Sequence, residues 1–236
     1  MKILVLKYGK EYMLGLGDVI DCLSLICQVA KSVNEMIIFP CFGKYEANIQ
    51  SMLPKGINVK LYPFANFQKL EEMIAMHECI RLENNDDYIA TNKITGISDI
   101  KGLYHIAGFD YERRNEHCPI ALRTWSYKGY MDAPSTGIAF IPEGGSRALN
   151  ENNPYRIDRK YIKQGLKILT PPQTTMMLQW IKVIEGADEI HCHYTSWPRL
   201  IEKLNIKGNL FMHHYVRGAR IKPQEWEFTK PWKELL

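Results

Sequence analysis

Apolar positions in the first half of the chain change their spacing several times, and each spacing predicts a different element. Lys2 to Tyr8 (KILVLKY) is apolar enough for a buried strand. The next segment predicts a helix, because apolar residues recur there at helical spacing: Ile20, Leu23, Ile26, Ala30 and Val33. Similar patterns predict strands at 36–41 and 58–64 and helices at 45–53 and 67–82.

The middle of the chain is less regular. Residues 83–102 are polar and predict no defined element, whereas 104–114 are typical of a helix. Pro, Ser and Gly follow one another at 131–137 (MDAPSTG), a composition typical of a linker. The aromatic residues just before this linker either stack on a sugar or base or, as we favour, pack between lobes: Trp125, Tyr127 and Tyr130.

The second half repeats the alternation of strand and helix. Strands are predicted at 137–142, 166–169, 188–194 and 209–214, and helices at 159–165, 174–185 and 196–204. Pro198 is compatible with the last of these helices because it falls in the first turn. At the C-terminus, three aromatic residues predict a tail helix packed across the lobes: Trp226, Phe228 and Trp232.

Regular alternation of strands and helices predicts parallel sheets covered by helices. We therefore predict the α/β class, with two small Rossmann-like lobes facing a cleft. The predicted lobes span 1–130 and 137–236.

Composition and charge narrow the class of protein. The 236 residues are 46% hydrophobic and carry a formal net charge of +4, which suits an anionic ligand such as a nucleotide but is small for a DNA-coating protein. The six cysteines form no CxxC pair, as expected for reduced thiols in a cytoplasmic protein. No signal peptide and no apolar stretch of about 18 residues is recognised, so we expect a cytoplasmic protein with no membrane span.

A glycine-containing turn precedes the first predicted helix. Gly15 and Gly17 allow a ligand to approach the backbone closely, and Asp18 stands where the helix is predicted to begin. The GxGxxG dinucleotide pattern fails at its third glycine, which is Ile20 here, and no GxxxxGK phosphate loop is present. A carboxylate at this helix end would repel a phosphate. Asp18 either caps the helix or accepts a proton from a substrate hydroxyl, and its position alone leaves both interpretations open.

Four segments together resemble the heptosyltransferase-like glycosyltransferases of the GT-B fold. GLGDVIDCLSLICQVAK is similar to the opening turn, aspartate and first helix of that family, and GIAFIPEGGSRALN to the first strand and loop of its donor-binding lobe. ADEIHCHYTSWPRLIEKL resembles a later strand-to-helix turn, and FMHHYVRG the closing strand of short bacterial and phage-associated members. The resemblance extends over most of the chain.

This resemblance implies transfer of a sugar from a nucleotide-sugar donor to an acceptor hydroxyl. The N-terminal lobe would hold a saccharide or lipid-linked saccharide acceptor, with Asp18 as the catalytic base beside Gly15 and Gly17, and the C-terminal lobe would bind the donor. Such enzymes stabilise the leaving diphosphate with basic side chains and helix N-termini, so we expect no cofactor and no metal. The NNDD run at 84–87 agrees with this expectation, because it is not a DxD pair at a strand end.

Six residues of the second half are candidate donor contacts under this resemblance: Glu143, Ser146, Arg147, Thr195, Ser196 and Arg199. Arg147 would clamp a phosphate with its planar guanidinium, or else it is a solvated loop arginine. Thr195 and Ser196 either bind phosphate or cap the following helix. Glu143 would accept hydrogen bonds from a ribose or else face water, and Arg199 would lie near the same diphosphate.

Two features of the second half concern how a donor would bind and whether the histidines could hold a metal. Tyr194 and Arg199 stand where heptosyltransferases typically place an acid and a histidine, so the donor and its binding mode stay open. His191 and His193 share one face of a predicted strand and Cys192 the other, so together with His213 and His214 they make a poor tetrahedral zinc site.

Three functions are consistent with these observations. We favour a metal-independent GT-B glycosyltransferase, hexosyl- or heptosyltransferase-like. A second hypothesis keeps the chemistry but transfers the sugar to a modified base of DNA, in line with the phage-associated members and the positive net charge. A third is a non-catalytic nucleotide-sugar-binding protein of the same fold, suggested by Tyr194 in place of the acid. The sequence leaves the sugar, the nucleotide, the acceptor and the oligomeric state unspecified.

Overall fold

The chain divides into two units, Met1–Ser126 and Tyr127–Leu236, and each contains a parallel β-sheet. This confirms the α/β class predicted from the alternation of strands and helices. The computed structural model describes residues 2–8, 15–32, 37–41, 43–63, 68, 72, 75–76, 78–84, 99–123, 129–132, 137–143, 157–172, 175–213, 215–216, 219–220 and 228–235.

In the described residues of the first unit, four strands pair in parallel. The strands are β1 (Lys2–Tyr8), β2 (Ile37–Cys41), β3 (Val59–Pro63) and β4 (Glu78–Asn84). The helices are α1 (Leu16–Ser32), α2 (Glu46–Met52), α3 (Asp99–Ile106) and α4 (Pro119–Leu122), with 3-10 turns at Gly43–Tyr45 and Tyr111–Arg113. The order across the sheet is β3-β2-β1-β4.

Helix α1 supplies a large part of the described core of the first unit. Ile20, Leu23 and Ile26 are buried, as their helical spacing predicted. Ala30 is half-buried, and Val33 lies outside the described residues. Asp18 in the first turn and Lys31 in the last have the charges that the helix dipole favours.

Strand β4 corrects the prediction of a helix over 67–82. The segment Glu78–Asn84 pairs with all seven residues of β1, from Lys2 opposite Glu78 to Tyr8 opposite Asn84. Its sequence, ECIRLEN, is compatible with both the helical and the strand spacing of apolar residues. The segment forms a strand because the open edge of β1 offers it backbone hydrogen bonds. The described residues of 67–77 that are helical are 68, 72 and 75–76.

The described part of the second unit contains a five-stranded parallel sheet and a short antiparallel pair. Its strands are β5 (Ile138–Phe140), β6 (Lys167–Leu169), β7 (Glu189–His193), β8 (Asn209–His213), β9 (Tyr215–Val216), β10 (Ala219–Arg220) and β11 (Lys233–Leu235). Its helices are α5 (Ile181–Gly186) and α6 (Ser196–Glu202), with 3-10 turns at Arg159–Tyr161 and Met177–Trp180. The large sheet has the order β11-β8-β7-β5-β6, and β9 pairs with β10.

The helices predicted at 159–165 and 174–185 are shorter than expected. The first is a single 3-10 turn, Arg159–Tyr161, in which Asp158 Oδ1 accepts a hydrogen bond from the Lys160 amide at 3.0 Å. Gly165 has a left-handed φ of 90°, which a helix cannot contain. The second begins as the 3-10 turn Met177–Trp180 and becomes α-helical only at Ile181.

The predicted tail helix is also wrong for the described part of the C-terminus, which forms strand β11. Glu202 of α6, 7% exposed, holds this segment by accepting hydrogen bonds from the backbone amides of Thr229 and Lys230, the Thr229 hydroxyl and Trp232 Nε1. The four bonds measure 2.9, 3.3, 2.6 and 2.8 Å in that order. A buried carboxylate with four donors fixes the approach of β11 to β8.

The helices in the described part of the chain are all too short or too polar to cross a membrane.

Candidate functional site

Sheet topology places two loops of the second unit at the same edge of its sheet. The strand order reverses between β5 and β7, which are neighbours. In open α/β sheets, ligands bind outside the carboxyl ends of the strands at such a reversal. Glu143 follows the end of β5, and Thr195 follows the end of β7. The topology therefore brings together the two segments from which the donor contacts were predicted.

Glu143 is held in a defined position at this edge. Its amide donates to the carbonyl of Ile141 at 2.9 Å, and its Oε2 accepts a hydrogen bond from Arg159 Nη2 at 2.9 Å. The Glu143 side chain is 19% exposed, and its Oε1 atom is buried with no hydrogen-bond partner in the described structure. An ionised carboxylate can only accept, so this oxygen is suited to the hydroxyl or amine of a ligand.

The turn after β7 begins helix α6. Thr195 is its N-cap residue, and the Thr195 hydroxyl accepts from the Trp197 amide at 3.4 Å. Ser196 is the first helical residue and Pro198 lies in the first turn, as predicted, while Arg199 is the fourth residue of this short helix. The Trp197 ring packs edge-on against Phe140 of β5, with centroids 5.4 Å apart, so the turn is anchored to the neighbouring strand.

Three further residues were named for this part of the chain in the sequence analysis: Ser146, Arg147 and Tyr194. Ser146 and Arg147 lie outside the described residues. Tyr194, which stands where the family has an acid, is 2% exposed and stacks on Phe228 with ring centroids 6.1 Å apart. Burial raises the pKa of Tyr194 to about 12, so the phenol is neutral and acts here in packing.

Sequence analysis missed a buried polar network on one face of β7 and β8. His191 Nδ1 lies 3.0 Å from His213 Nε2, and His191 Nε2 lies 3.1 Å from Glu189 Oε2. Glu189 Oε2 also accepts from the amide of Lys163 at 3.0 Å. The alternation in EIHCH predicted a shared face for His191 and His193, but the pairing with His213 depends on the register of β7 against β8.

His191 and His193 are neutral near pH 7, because the pKa of each is lowered. Burial is the main cause that lowers the pKa of His191, opposed by the nearby carboxylate of Glu189, and burial lowers the pKa of His193 to about 4. Within the described ranges, no group of three or more His, Cys, Asp or Glu side chains is arranged to hold a metal ion.

The network also supports Glu143 indirectly. The ring of Tyr161 packs edge-on against His213 at 5.8 Å, and the amide of Lys163 is bound to Glu189. The 3-10 turn Arg159–Tyr161 is therefore fixed over the sheet, and its Arg159 reaches Glu143.

In the first unit, the reversal of strand order lies between β1 and β4, and α1 follows β1. The helix begins at Leu16, so Gly17 belongs to its first turn and Asp18 is its third residue, not the residue that starts it. Asp18 Oδ2 accepts from the Gly15 amide at 2.9 Å, and the Val19 amide donates to the Gly15 carbonyl at 3.1 Å. This is one half of a capping box, and it fixes the orientation of the carboxylate.

Comparison with known proteins gives matches to solved structures. No protein-family model matches the chain, and no curated protein matches it. Among solved structures, the chain is similar to the E. coli heptosyltransferase WaaC with ADP, with a TM-score of 0.53 and 11% identity over 95% of this chain and 89% of that chain. It is also similar to the same enzyme with ADP-2-deoxy-2-fluoro heptose, with a TM-score of 0.50 and 11% identity over 100% and 93% of the two chains. The chain therefore has the α/β fold of these GT-B glycosyltransferases.

Proposed function

We propose that the protein is a glycosyltransferase that moves a sugar from a nucleotide-sugar donor to an acceptor hydroxyl. The observation that carries this proposal is the likeness, over nearly the whole chain, to a heptosyltransferase whose structures contain ADP and an ADP-heptose analogue. The first donor class to test is accordingly an ADP-sugar, and the acceptor is a saccharide or a lipid-linked saccharide.

The second unit is proposed to bind the donor between the loops that follow β5 and β7. The Thr195 hydroxyl and the Ser196 amide offer donors to a phosphate, and Arg199 offers a positive charge on the same turn. Ser146 and Arg147 are proposed to contribute from the loop after Glu143. The Oε1 atom of Glu143 supports a role in accepting a hydrogen bond from a donor hydroxyl, because it is buried and has no partner in the described structure.

The first unit is proposed to hold the acceptor, with Asp18 as the catalytic base. Asp18 would take the proton of the acceptor hydroxyl while the oxygen forms a bond to the anomeric carbon and the bond from that carbon to the diphosphate breaks. The nucleoside diphosphate leaves with the electron pair of that bond. Basic side chains and backbone amides would stabilise its charge, so the proposal includes no metal.

A thermal-shift screen with ADP-, UDP-, GDP- and CMP-sugars tests donor binding. A donor at about 100 times its Kd stabilises the protein by about 2.7 kcal/mol, which raises the melting temperature measurably. Thr195→Ala should reduce the shift given by the best donor, whereas the control variant Thr195→Ser keeps the hydroxyl and should retain it. If none of the four donors raises the melting temperature of the native protein, the proposed donor site is wrong.

Transfer assays with the same purified protein distinguish the two other hypotheses. Acceptors should include mono- and oligosaccharides, a lipid-linked saccharide and DNA that contains a hydroxymethylated base. Transfer to the DNA alone would favour the DNA-modifying enzyme. Donor binding without transfer to any acceptor would favour the non-catalytic binding protein.

A further inference from the structure

The backbone of helix α1 is hydrogen-bonded to a side chain of another helix. The hydroxyl of Tyr104, on α3, donates to the Asp21 carbonyl at 2.7 Å and accepts from the Leu25 amide at 3.3 Å. Asp21 and Leu25 are four residues apart, so in a regular α-helix this amide and this carbonyl bond to each other. The Tyr104 hydroxyl bridges a donor and an acceptor that normally pair directly.

The bridge is rigid and out of contact with water. Tyr104 is 0% exposed, and its ring packs edge-on against Tyr111 with centroids 5.4 Å apart. Burial raises the pKa of Tyr104 well above its usual range, so the hydroxyl keeps its proton and can donate.

The bridge ties α1 to α3 close to the first turn of α1. The first turn carries Asp18, whose carboxylate is bound to the Gly15 amide, and the Asp21 carbonyl lies three residues further along. The Tyr104 hydroxyl therefore anchors the backbone of α1 about one turn from Asp18. We propose that Tyr104 is a positioning residue for Asp18, fixing through the bridge where the carboxylate of the base stands.

This inference rests on the proposed function only for its kinetic consequence. Its structural consequence is tested by backbone amide NMR of Tyr104→Phe, with Tyr111→Phe as the matched control that also removes one phenolic hydroxyl from the same cluster. We expect chemical-shift changes in Tyr104→Phe to extend from Leu25 back to Gly15, and those in Tyr111→Phe to leave Gly15 to Asp18 unchanged. Changes in Tyr104→Phe that stop at Asp21 would overturn the inference.

The kinetic consequence is tested by a double-mutant cycle of Tyr104→Phe and Asp18→Asn. Misplacing a catalytic group by about 1 Å can cost roughly 100-fold, so we expect Tyr104→Phe alone to lower kcat by about 10-fold to 100-fold. The KM for the donor should stay within about twofold, since the donor is proposed to bind the second unit. In the Asp18→Asn background, Tyr104→Phe should change kcat by less than about twofold, because the group it positions is already absent.

The outcomes separate the inference from the proposed function. Equal losses in both backgrounds would mean that Tyr104 acts independently of Asp18, which overturns the inference and leaves the proposed function intact. Full turnover by Asp18→Asn would overturn the base assignment and with it the kinetic consequence, whereas the NMR comparison would still decide whether Tyr104 fixes the position of the Asp18 carboxylate. If Tyr104→Phe folds poorly, 4-aminophenylalanine at position 104 restores a group that donates and accepts, and the inference requires it to restore kcat.

Discussion

Three imidazoles of the second unit are almost completely out of contact with water: His191, His193 and His213. The rings of His193 and His213 lie 6.1 Å apart, and His191 stacks on Phe211 at 4.5 Å. Because burial lowers the pKa of His193 to about 4, protonation of this ring is unfavourable in the folded protein. The unfolded chain binds the proton from about pH 6.5 downward, near the ordinary pKa of histidine.

The stability of the second unit should therefore depend on pH. The contribution of His193 is fully present above about pH 6.5 and decreases as the pH falls toward 4, with a loss of about 2 kcal/mol between pH 7 and 5. Urea unfolding followed by tryptophan fluorescence reports mainly on this unit, which contains Trp180, Trp197, Trp226 and Trp232. His193→Asn should reduce the pH dependence, whereas His117→Asn, at an exposed position, should leave it unchanged. Equal unfolding free energies at pH 7 and pH 5 would contradict this account.

Helix α6 and strand β11 are coupled through a single carboxylate. Glu202 is buried and accepts four hydrogen bonds from the C-terminal segment. Replacing it with Gln removes the charge and gives the position two donors that face other donors. Each hydrogen bond to a charged group contributes about 1.5–3 kcal/mol, and the four share one charge.

Glu202→Gln should accordingly lower the free energy of unfolding by about 2–4 kcal/mol and expose the C-terminal segment to proteolysis. Glu185→Gln is the matched control, because Glu185 accepts from the backbone amide of Asn205 in an exposed bond of 3.1 Å. Its effect on unfolding should stay below about 1 kcal/mol. Urea unfolding and limited proteolysis measure both variants, and equal effects of the two substitutions would contradict the role of Glu202.

The sequence predicts an element correctly when the spacing of the element's own apolar residues determines its conformation. Strands β1 and β7 and helix α1 are examples. Strand β4 was missed because its conformation depends on β1, which is some seventy residues away in the chain and pairs with it along its whole length. Strand β11 was missed because Glu202, on another element, holds it. The hydrogen bonds of the Tyr104 hydroxyl could not be predicted for the same reason, because they join residues of two different helices, α1 and α3.

For the candidate site, the sequence indicated the two segments that form it but not the contacts between distant segments. Glu143 and Thr195 were singled out through the family resemblance, and the strand order brings the ends of the two strands before them side by side. Their role in binding a donor stays a prediction. The ion pair of Glu143 with Arg159 and the network around His191 could not be predicted, because both join segments that the sequence leaves separate. The start of α1 was misjudged by two residues, which moved Gly17 into the helix.

At the scale of the whole molecule, each unit has a parallel sheet whose strand order reverses once in its interior. In the first unit the reversal lies beside α1 and Asp18, and in the second beside Glu143 and Thr195. The likeness to the heptosyltransferase extends over both units. Under the proposed function, the first unit holds the acceptor and the second binds the donor.

The most direct test of this account is the rate of sugar transfer by Asp18→Asn compared with the native protein. The donor is the one that gives the largest thermal shift, and the acceptor is the best of the saccharide panel. The account predicts acceptor-dependent release of the nucleoside diphosphate by the native protein, at least about 100-fold slower release by Asp18→Asn, and unchanged donor affinity. Transfer by Asp18→Asn at the native rate, or no acceptor-dependent release by the native protein with any donor of the screen, would contradict it.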